Sequence, residues 1–304
     1  AGAPRTIIGK FPSAEQAGRE IAAMYGLYRC EVNFYRLIAE TISLRTPRCF
    51  FSAMNDDATE FVLLLEDLSA TGRLGDQVVG CTIEEARLAM EQLGVFHASW
   101  WQNARLKEMD WLPLGVDLAR MSLEEAFPAG WGPALDRYGH LFSPEVREAV
   151  PTLNERVLGR FGRFEEAPRT ITHADYRLDN MFFGGPGSGY ELAVIDWQIA
   201  NRGLSAYDVA YFLGSNLRPA DRRSQEQLLL SAYHDALVAG GVRDYPRARL
   251  QEDYVLSMLL ILANNIGNTM NLDPANERGL QLFELILGRV ATAAAELHAL
   301  DTVS

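Results

Sequence analysis

A charged segment between two runs of β-forming hydrophobic residues constrains this chain more than any other feature. The segment reads ITHADYRLDNMFF over residues 171–183 and is followed by LAVIDWQ over residues 192–198. The apolar runs predict strands, and the glycine-rich GGPGSG between them predicts the turn of a hairpin. The polar residues beside this hairpin are therefore expected to converge at one of its ends.

Three of these polar side chains have the chemistry of a metal site. Asn180 begins one predicted strand and Asp196 ends its antiparallel partner, so the two are expected side by side. Asp175 lies five residues before Asn180 and can reach the same point. Two carboxylates and an amide oxygen suit Mg²⁺, which takes hard oxygen ligands together with phosphate and water.

This set of residues is what phosphoryl transfer requires. One Asp accepts the proton of the nucleophilic hydroxyl, while an Asn and a second Asp hold the metal that neutralises the transferring phosphate. A loop of this composition can also be a polar turn in which Asp and Asn cap backbone groups. The apolar strand that ends in Asp196 favours phosphoryl transfer over the polar turn.

The rest of the chain predicts an α+β protein with a small first lobe and a larger, mostly helical second lobe. The polar, glycine-bearing segment after Leu65 separates the two, so we place an N-terminal lobe at residues 1–68 and a C-terminal lobe at residues 69–304. Strands are predicted at residues 5–10, 48–53 and 61–65, and one long helix at residues 14–42. Further helices are predicted at residues 84–101 (capped by Thr82), 118–127, 144–161, 222–239, 250–266 and 277–300.

Composition restricts the class of partner. The 304 residues are 48% hydrophobic with a formal charge of −12, which argues against a nucleic-acid or anionic-membrane partner. Three cysteines without CxxC spacing favour reduced thiols over a disulfide framework or a zinc site. No apolar run approaches the ~18 residues of a membrane span, and the N-terminus lacks the apolar core of a signal peptide. We therefore expect a cytoplasmic protein.

The motif HADYRLDN followed by VIDWQ resembles the catalytic loop and metal-binding strand end of the aminoglycoside phosphotransferase and choline kinase-like superfamily. The combination of EDL, FHASWW and IDWQ is most similar to the ecdysteroid-kinase-like branch and its bacterial relatives. The matches extend along most of the chain. The resemblance implies a protein-kinase-like two-lobe fold, with ATP and Mg²⁺ as cofactors.

The resemblance also implies roles for residues near the hairpin. Asp175 would be the catalytic base, and Asn180 and Asp196 would hold the metal. His173 is interpreted as a packed structural histidine that hydrogen-bonds to backbone. Asp208 matches an aspartate that braces the backbone of the catalytic loop, although from sequence it could equally cap its own helix.

Further matches lie in the first lobe. Lys10 matches the lysine that contacts the α- and β-phosphates, and Glu31 matches the helix glutamate that pairs with it. The LLLEDLS segment resembles the hinge, where backbone groups near Glu66, Asp67 and Leu68 would take adenine. The alternatives are a solvated surface lysine and a glutamate that extends from an apolar helix face to water.

One feature departs from the family pattern. The family has two strands with a glycine-bearing phosphate loop before the lysine strand, whereas this sequence begins only nine residues before Lys10. Either the start of the lobe lies outside this sequence, or the phosphate loop is absent.

The spacing after the hairpin favours a small acceptor. Only eleven residues separate Asp196 from Asp208, whereas a protein kinase needs a longer activation segment with an A-P-E anchor. We therefore expect a kinase that acts on a small hydroxylated molecule. Asn264, Asn265 and Asn268 are candidate pocket residues, or amides that cap the end of a helix.

Two other functions remain open: a non-catalytic nucleotide-binding module of the same fold, and a metal-dependent phosphohydrolase built on the same acidic residues. The sequence does not identify the acceptor. Aminoglycosides, macrolides, choline-like alcohols, sugars and steroids all remain candidates, and the sequence does not determine the oligomeric state.

Overall fold

The structure is a computed structural model that describes residues 4–300, and it has the predicted α+β architecture. The first sheet is antiparallel, with the order β1-β3-β2. Its strands are β1 (Ile7–Lys10), β2 (Cys49–Met54) and β3 (Phe61–Glu66). Two helices, α1 (Gln16–Tyr25) and α2 (Leu27–Leu37), connect β1 to β2.

The prediction of one long helix over residues 14–42 is wrong. Gly26 adopts a left-handed conformation with φ of 64°, and its N–H donates to the carbonyls of Ala22 and Ala23 at the end of α1. Glycine reaches this conformation without steric cost and so ends the helix. The apolar spacing continues across the break, which is why periodicity alone did not reveal it. The break therefore separates α1 from α2.

The predicted hairpin is confirmed, and two further strands accompany it. In the second sheet the order is β4-β6-β7, formed by β4 (Gly72–Leu74), β6 (Met181–Gly184) and β7 (Leu192–Val194). A separate pair joins β5 (Arg169–Thr172) to β8 (Asn201–Leu204). Neither β4 nor β8 was predicted, because both are short polar segments whose pairing depends on distant strands.

The remaining chain is mainly helical, and the capping box of Thr82 and Glu85 begins α3 as predicted. The helices are α3 (Ile83–Trp100), α4 (Gly115–Met121), α5 (Phe127–Tyr138), α6 (Pro144–Ala149), α7 (Leu153–Leu158), α8 (Gly162–Glu166), α9 (Ser205–Asn216), α10 (Pro219–Ala239), α11 (Arg247–Asn268) and α12 (Glu277–Glu296).

Two of the predicted helices have different bounds. The helix predicted at residues 144–161 is divided, because Pro151 lies in a short 3₁₀ turn between α6 and α7 and has no backbone N–H to continue the ladder. The helix predicted at residues 118–127 is part of a longer stretch. In it a π-helical segment, Ser122–Ala126, joins α4 to α5.

The core of the helical part surrounds α9 and α11. Both helices are buried on most sides, which fits their largely apolar sequences. In the first sheet, Phe61, Leu63 and Leu65 of β3 are buried on one face while the residues between them are half-exposed. No helix within residues 4–300 is both long enough and apolar enough to cross a membrane. The lobe boundary at residue 68 stays a prediction.

Candidate active site

Two non-glycine residues at the hairpin adopt the left-handed conformation. Ala174 has φ of 65° and Asp196 has φ of 64°. Such residues cost of order 1–3 kcal/mol each and persist where the surrounding structure fixes them, often at functional sites. Ala174 follows β5 by two residues and Asp196 follows β7 by two, and the His173 side chain joins the two turns.

Asp208 fixes the first of these turns. Its Oδ2 accepts a hydrogen bond from the His173 N–H at 2.7 Å, and its Oδ1 accepts one from the Ala174 N–H at 2.8 Å. Asp208 is fully buried in the first turn of α9. It does not cap its own helix, because the N-cap position belongs to Leu204. The carboxylate instead supports the left-handed Ala174.

His97 is a buried neighbour of Asp208 that the sequence analysis missed. Its Nε2 lies 3.3 Å from Asp208 Oδ2, and its Nδ1 lies 2.9 Å from the hydroxyl of Tyr233. The only sequence signal is a polar residue on the buried face of α3, within FHASWW. His97 therefore orients Asp208 and, through it, the loop.

His173 connects the loop to the end of the hairpin. Its Nδ1 accepts from the Asp175 N–H at 3.2 Å, which places the ring proton on Nε2. Nε2 then donates to the carbonyl of Ile195 at 2.9 Å, immediately before Asp196. The buried imidazole thus ties the backbone of Asp175 to that of the neighbouring strand end.

Asp175 lies at the tip of the loop and keeps about 20% of its side-chain surface exposed. Its Oδ2 accepts from Arg177 Nε at 2.9 Å and from Asn180 Nδ2 at 2.8 Å. Burial alone would raise the pKa of Asp175, but the charge and hydrogen bonding of Arg177 outweigh it and hold that pKa below its usual value. The carboxylate is therefore ionised at neutral pH.

Arg177 has a larger part than the sequence suggested. Its Nη1 lies 3.0 Å from Asp179 Oδ2, two residues away in the sequence. The same guanidinium also binds the Asp175 carboxylate, a contact that the sequence motif does not reveal. The available signal was the spacing of two residues, which allows a side-chain pair in a turn.

Asn180 is oriented by the loop. Its Nδ2 donates to both the carboxylate and the backbone carbonyl of Asp175, which leaves Oδ1 as the oxygen available to a further partner. The Asn180 carbonyl accepts from the Ile195 N–H at 2.9 Å, which places Asn180 opposite the residue before Asp196. The two predicted metal ligands are thus brought to the same end of the hairpin.

Lys10 joins the first sheet to this end of the hairpin. Its Nζ lies 2.5 Å from Glu31 Oε1 and 2.9 Å from Asp196 Oδ1. Burial favours the neutral amine, but the two carboxylates outweigh it and raise the pKa of Lys10. Glu31 is buried on α2, and burial raises its pKa although Lys10 opposes the shift. The predicted Lys10–Glu31 pair therefore forms, and Glu31 is not a solvated residue.

The oxygen atoms at this site suit a divalent cation that also binds phosphate. Within residues 4–300, no three or more His, Cys, Asp or Glu side chains cluster closely enough to form a metal site. Asn180 and Asp196 offer an amide oxygen and a carboxylate. Mg²⁺ commonly binds through one or two protein ligands, with phosphates and water completing the octahedron.

The predicted hinge follows β3. Glu66 ends the strand, and its N–H donates to the Arg48 carbonyl at 2.9 Å. The Leu68 carbonyl accepts from two N–H groups in the turn that follows, and the Asp67 carboxylate accepts from the Ser69 N–H. The Glu66 N–H and the Leu68 carbonyl are therefore already paired and are not available to bind a base.

An apolar surface lies between the hinge and Lys10. Ile8 pairs with the buried Leu65 across the sheet and is two residues from Lys10, so Ile8 and Lys10 share one face of β1. Ile8 is 46% exposed. A flat, apolar ligand group could therefore pack beneath the strand next to the Lys10 ammonium.

A cleft of about 670 Å³ opens beside Asp175 in the helical part. The three predicted asparagines of α11 all line it, together with residues from α4, α5, β8 and α9. Asn264 bonds Ser122 Oγ through Oδ1 at 2.5 Å and the Tyr207 hydroxyl through Nδ2 at 3.1 Å. Asn265 instead donates to the Ile261 carbonyl of its own helix.

Comparison with known proteins identifies the relationship. The sequence model of the ecdysteroid kinase-like family matches residues 3–241, more than three quarters of the chain. No curated protein matches the chain at the level of sequence. The motif-based resemblance is thus confirmed at the level of the family.

Solved structures with the same fold show low sequence identity. An ethanolamine kinase from Plasmodium vivax aligns over 98% of this chain and 84% of its own, with a TM-score of 0.55 and 12% identity. The GDP complex of aminoglycoside 2'-phosphotransferase-IIIa aligns over 89% and 83%, with a TM-score of 0.53 and 16% identity. A microcompartment-associated aminopropanol kinase aligns over 93% and 83%, with a TM-score of 0.53 and 16% identity. The predicted kinase-like two-lobe fold is confirmed.

Proposed function

We propose that this chain, which belongs to the ecdysteroid kinase-like family, transfers the γ-phosphate of ATP to a hydroxyl group of a small organic molecule. The observation that carries the proposal is the convergence of Lys10, Glu31, Asp196, Asn180 and Asp175 at one end of the hairpin, beside an open cleft. Phosphoryl transfer needs these groups for charge neutralisation and for positioning of the reactants.

The donor would lie between the first sheet and the hairpin. Lys10, held by Glu31, would contact the nucleotide phosphates, and Ile8 would pack against the base. The backbone of Asp67 and the N–H of Leu68 would bind the edge of the base, because the Leu68 carbonyl is already paired within the turn. ATP as the donor is part of the proposal.

Asn180 Oδ1 and the Asp196 carboxylate would hold Mg²⁺. A bound Mg²⁺ neutralises the negative charge that develops on the transferring phosphate. Lys10 Nζ lies 2.9 Å from Asp196 Oδ1, so the ammonium and Mg²⁺ would share this carboxylate. The left-handed backbone at Asp196 directs its side chain out of the strand.

Asp175 would act on the acceptor. Its exposed carboxylate would hydrogen-bond to the acceptor hydroxyl and take its proton as the oxygen attacks the γ-phosphorus. A new oxygen–phosphorus bond forms while the bond from the γ-phosphorus to the β–γ bridging oxygen breaks, and ADP leaves. Arg177 keeps Asp175 ionised and oriented for this step.

The segment after Asp196 supports a small acceptor. Trp197 is fully buried, β8 begins at Asn201 and α9 at Ser205, so this connection is short and ordered within the core. The cleft volume of about 670 Å³ lies in the usual range for small-molecule sites. The connection offers no long extended surface for a protein substrate.

An acceptor screen tests the proposal and its alternatives. Coupled ADP release would be measured with Mg²⁺–ATP across aminoglycosides, amino alcohols, sugars, steroids and hydroxy acids. Acceptor-dependent ADP release supports the kinase, whereas phosphate release without any acceptor would indicate a phosphohydrolase. ATP at about 100 Kd adds about 2.7 kcal/mol to the free energy of unfolding. That stabilisation without turnover on any acceptor would indicate a non-catalytic module.

A further inference from the structure

Two arginines line the cleft at the strand pair that precedes the catalytic loop. Arg169 begins β5 and Arg202 lies in β8, and both side chains are half-buried. Arg169 is opposite Leu204 and Arg202 is opposite Ile171 in the antiparallel register. Directly opposed residues share a face of a sheet, so the two arginines are diagonal neighbours on one face, about 7–8 Å apart.

Neither guanidinium has a carboxylate partner among residues 4–300. Arg169 Nη2 donates to the Glu165 backbone carbonyl at 3.3 Å, and Arg202 Nη1 donates to the Leu106 carbonyl at 2.9 Å. The Nε of Arg202 is buried and has no hydrogen-bond partner in the described part of the chain. Because this Nε is shielded from solvent, a ligand in the cleft would be bound through the other N–H groups of the guanidinium.

The electrostatics of the pair are also unfavourable. Burial, and then the positive charge of Arg169, lower the pKa of Arg202. Asp117 and Asp110 oppose this shift, but both are exposed to solvent and neither forms an ion pair with Arg202. In a chain with 40 acidic and 28 basic residues, two adjacent arginines without acidic partners are a departure that an anionic ligand would explain.

We infer that the cleft binds an acceptor that carries a carboxylate, held by Arg169 and Arg202, while its hydroxyl faces Asp175. This inference rests on the proposed function and names the substrate class of that same site. The planar guanidinium presents paired N–H donors that match the two oxygens of a carboxylate.

The other lining residues fit such a molecule. Two further charged residues line the cleft: Asp175, which is paired with Arg177, and Glu125, which is exposed. The cleft therefore has few negative charges that could pair with an acceptor that carries several positive charges. Between its charged groups the wall combines apolar side chains, among them Val116, Met121 and Leu260, with amides that include Asn264, Asn268 and Asn271.

The register sets an approximate length for the acceptor. Arg202 is opposite Ile171, which precedes Asp175 by four residues. At about 3.3 Å per residue, the backbone of Ile171 lies within about 13 Å of that of Asp175, and the Arg202 side chain adds to the span between the two charged groups. A series of hydroxylated acids from six to twelve carbons long covers separations of this order.

Matched probes separate charge from shape. Binding would be measured by calorimetry without nucleotide for ω-hydroxydecanoate, its amide and ω-aminodecanol, and then for the hexyl to dodecyl homologues. We expect the acid to bind about 10- to 100-fold more tightly than its amide, as one charge-assisted interaction implies, and the amine to bind most weakly. An acid that binds no more tightly than its amide at any chain length overturns the inference.

Two variants test whether the arginines cause the preference for the acid over its amide. Arg169→Gln and Arg202→Lys should each remove most of the difference between acid and amide, the first by loss of charge and the second by loss of the paired donors. Arg137→Gln, an exposed arginine of α5 outside the cleft, should leave it unchanged. Thermal unfolding of each variant confirms that it folds. A preference that survives in both cleft variants contradicts the assignment.

The same panel distinguishes this inference from the proposed function. Turnover of neutral or cationic acceptors with kcat/KM equal to that of acids leaves the kinase intact and overturns the inference. Selective binding of acids without ATP-dependent turnover of any acceptor would support the anion site and contradict the proposed kinase activity.

Discussion

Lys10 Nζ lies 2.9 Å from Asp196 Oδ1, although 186 residues separate them in the sequence. The same ammonium binds the buried Glu31 of α2, so one cation joins β1, α2 and the end of the hairpin. The two carboxylates depend on this single positive charge within the described part of the site. The Lys10 pairs therefore link the first sheet and α2 to the proposed metal site.

Replacing Asp196 tests the proposed metal ligand. Asp196→Ala removes one of two oxygen ligands and the partner of Lys10, so we expect Mg²⁺-dependent nucleotide affinity to disappear. Calorimetric titration with ATP in Mg²⁺ and in EDTA measures the difference. Asp57→Ala, in the exposed turn between β2 and β3, is the control and should bind as wild type does. Unchanged Mg²⁺ dependence in Asp196→Ala contradicts the assignment.

Replacing Lys10 tests both stability and nucleotide binding. Lys10→Met leaves Glu31 buried beside Asp196 without a cation, and we expect a loss of about 1–3 kcal/mol, because Lys10 itself is 30% exposed. Glu31→Gln in the same protein should recover part of it. ATP affinity should fall in both variants. Denaturant titration and calorimetry measure these effects.

The chain provides a matched control for Lys10. Lys107 is the only other lysine in the sequence, and it is exposed. Lys107→Met should change neither stability nor ATP affinity. Mg²⁺–ATP should also protect Lys10, but not Lys107, from a lysine-acylating reagent detected by mass spectrometry. Equal labelling of Lys10 with and without ATP contradicts its proposed contact with phosphate.

Arg177 should control the acid limb of the pH profile. In the wild type it holds the pKa of Asp175 below its usual value, so the carboxylate stays ionised well into the acid range. Arg177→Gln leaves burial as the main influence, the pKa rises, and the acid limb of kcat/KM moves to higher pH. Arg87→Gln removes an exposed ion pair with Glu91 on α3, and it should leave the profile unchanged. An unmoved limb in Arg177→Gln contradicts the role.

The same pair affects stability with a defined sign. Because the folded pKa of Asp175 is lowered, its contribution is fully present above the unfolded value of about 3.9 and is lost as pH falls through the folded value. The stability difference between wild type and Arg177→Gln should therefore shrink below about pH 4. Denaturant titrations across pH test this expectation, and a difference that grows in acid contradicts it.

Asp208 should affect both folding and catalysis. Asp208→Asn keeps the volume but replaces an acceptor oxygen by an amide group, so a loop N–H loses its partner and stability should fall by about 2–4 kcal/mol. Because the loop carries Asp175, kcat should also fall. Asp253→Asn removes a second buried carboxylate, bound by Arg163 and Tyr245 away from the loop. It should lose similar stability while kcat is retained.

Sequence reasoning located the candidate site better than it located the helices. Asp175, Asn180 and Asp196 meet because a hairpin fixes the positions of strand ends, and that geometry follows from turn chemistry and alternation alone. The helix break at Gly26 was missed because one glycine in the left-handed conformation interrupts a pattern of apolar spacing that is otherwise continuous. The spacing of apolar residues indicates which face of a helix is buried, and it carries little information about where the helix ends.

The roles of His97 and Arg177 were missed for a different reason. His97 acts through a contact with Asp208 that tertiary structure brings together, whereas Arg177 acts through a local contact with Asp175, two residues away. Neither residue stands out by type or spacing, because buried histidines and local ion pairs are common for structural reasons. The short strand β8, with Arg202, was missed for a related reason, because its pairing with β5 joins segments that are distant in the sequence.

The most direct test of the proposed activity is acceptor-dependent phosphate transfer by Asp175→Asn. With an acceptor from the ADP-release screen, mass spectrometry should detect a product heavier by one phosphate with the wild type. We expect a rate about 10²- to 10⁴-fold lower with Asp175→Asn, while ATP binding is retained. Full turnover by Asp175→Asn, or Mg²⁺–ATP binding by the wild type with no phosphorylated product from any acceptor, would contradict the account.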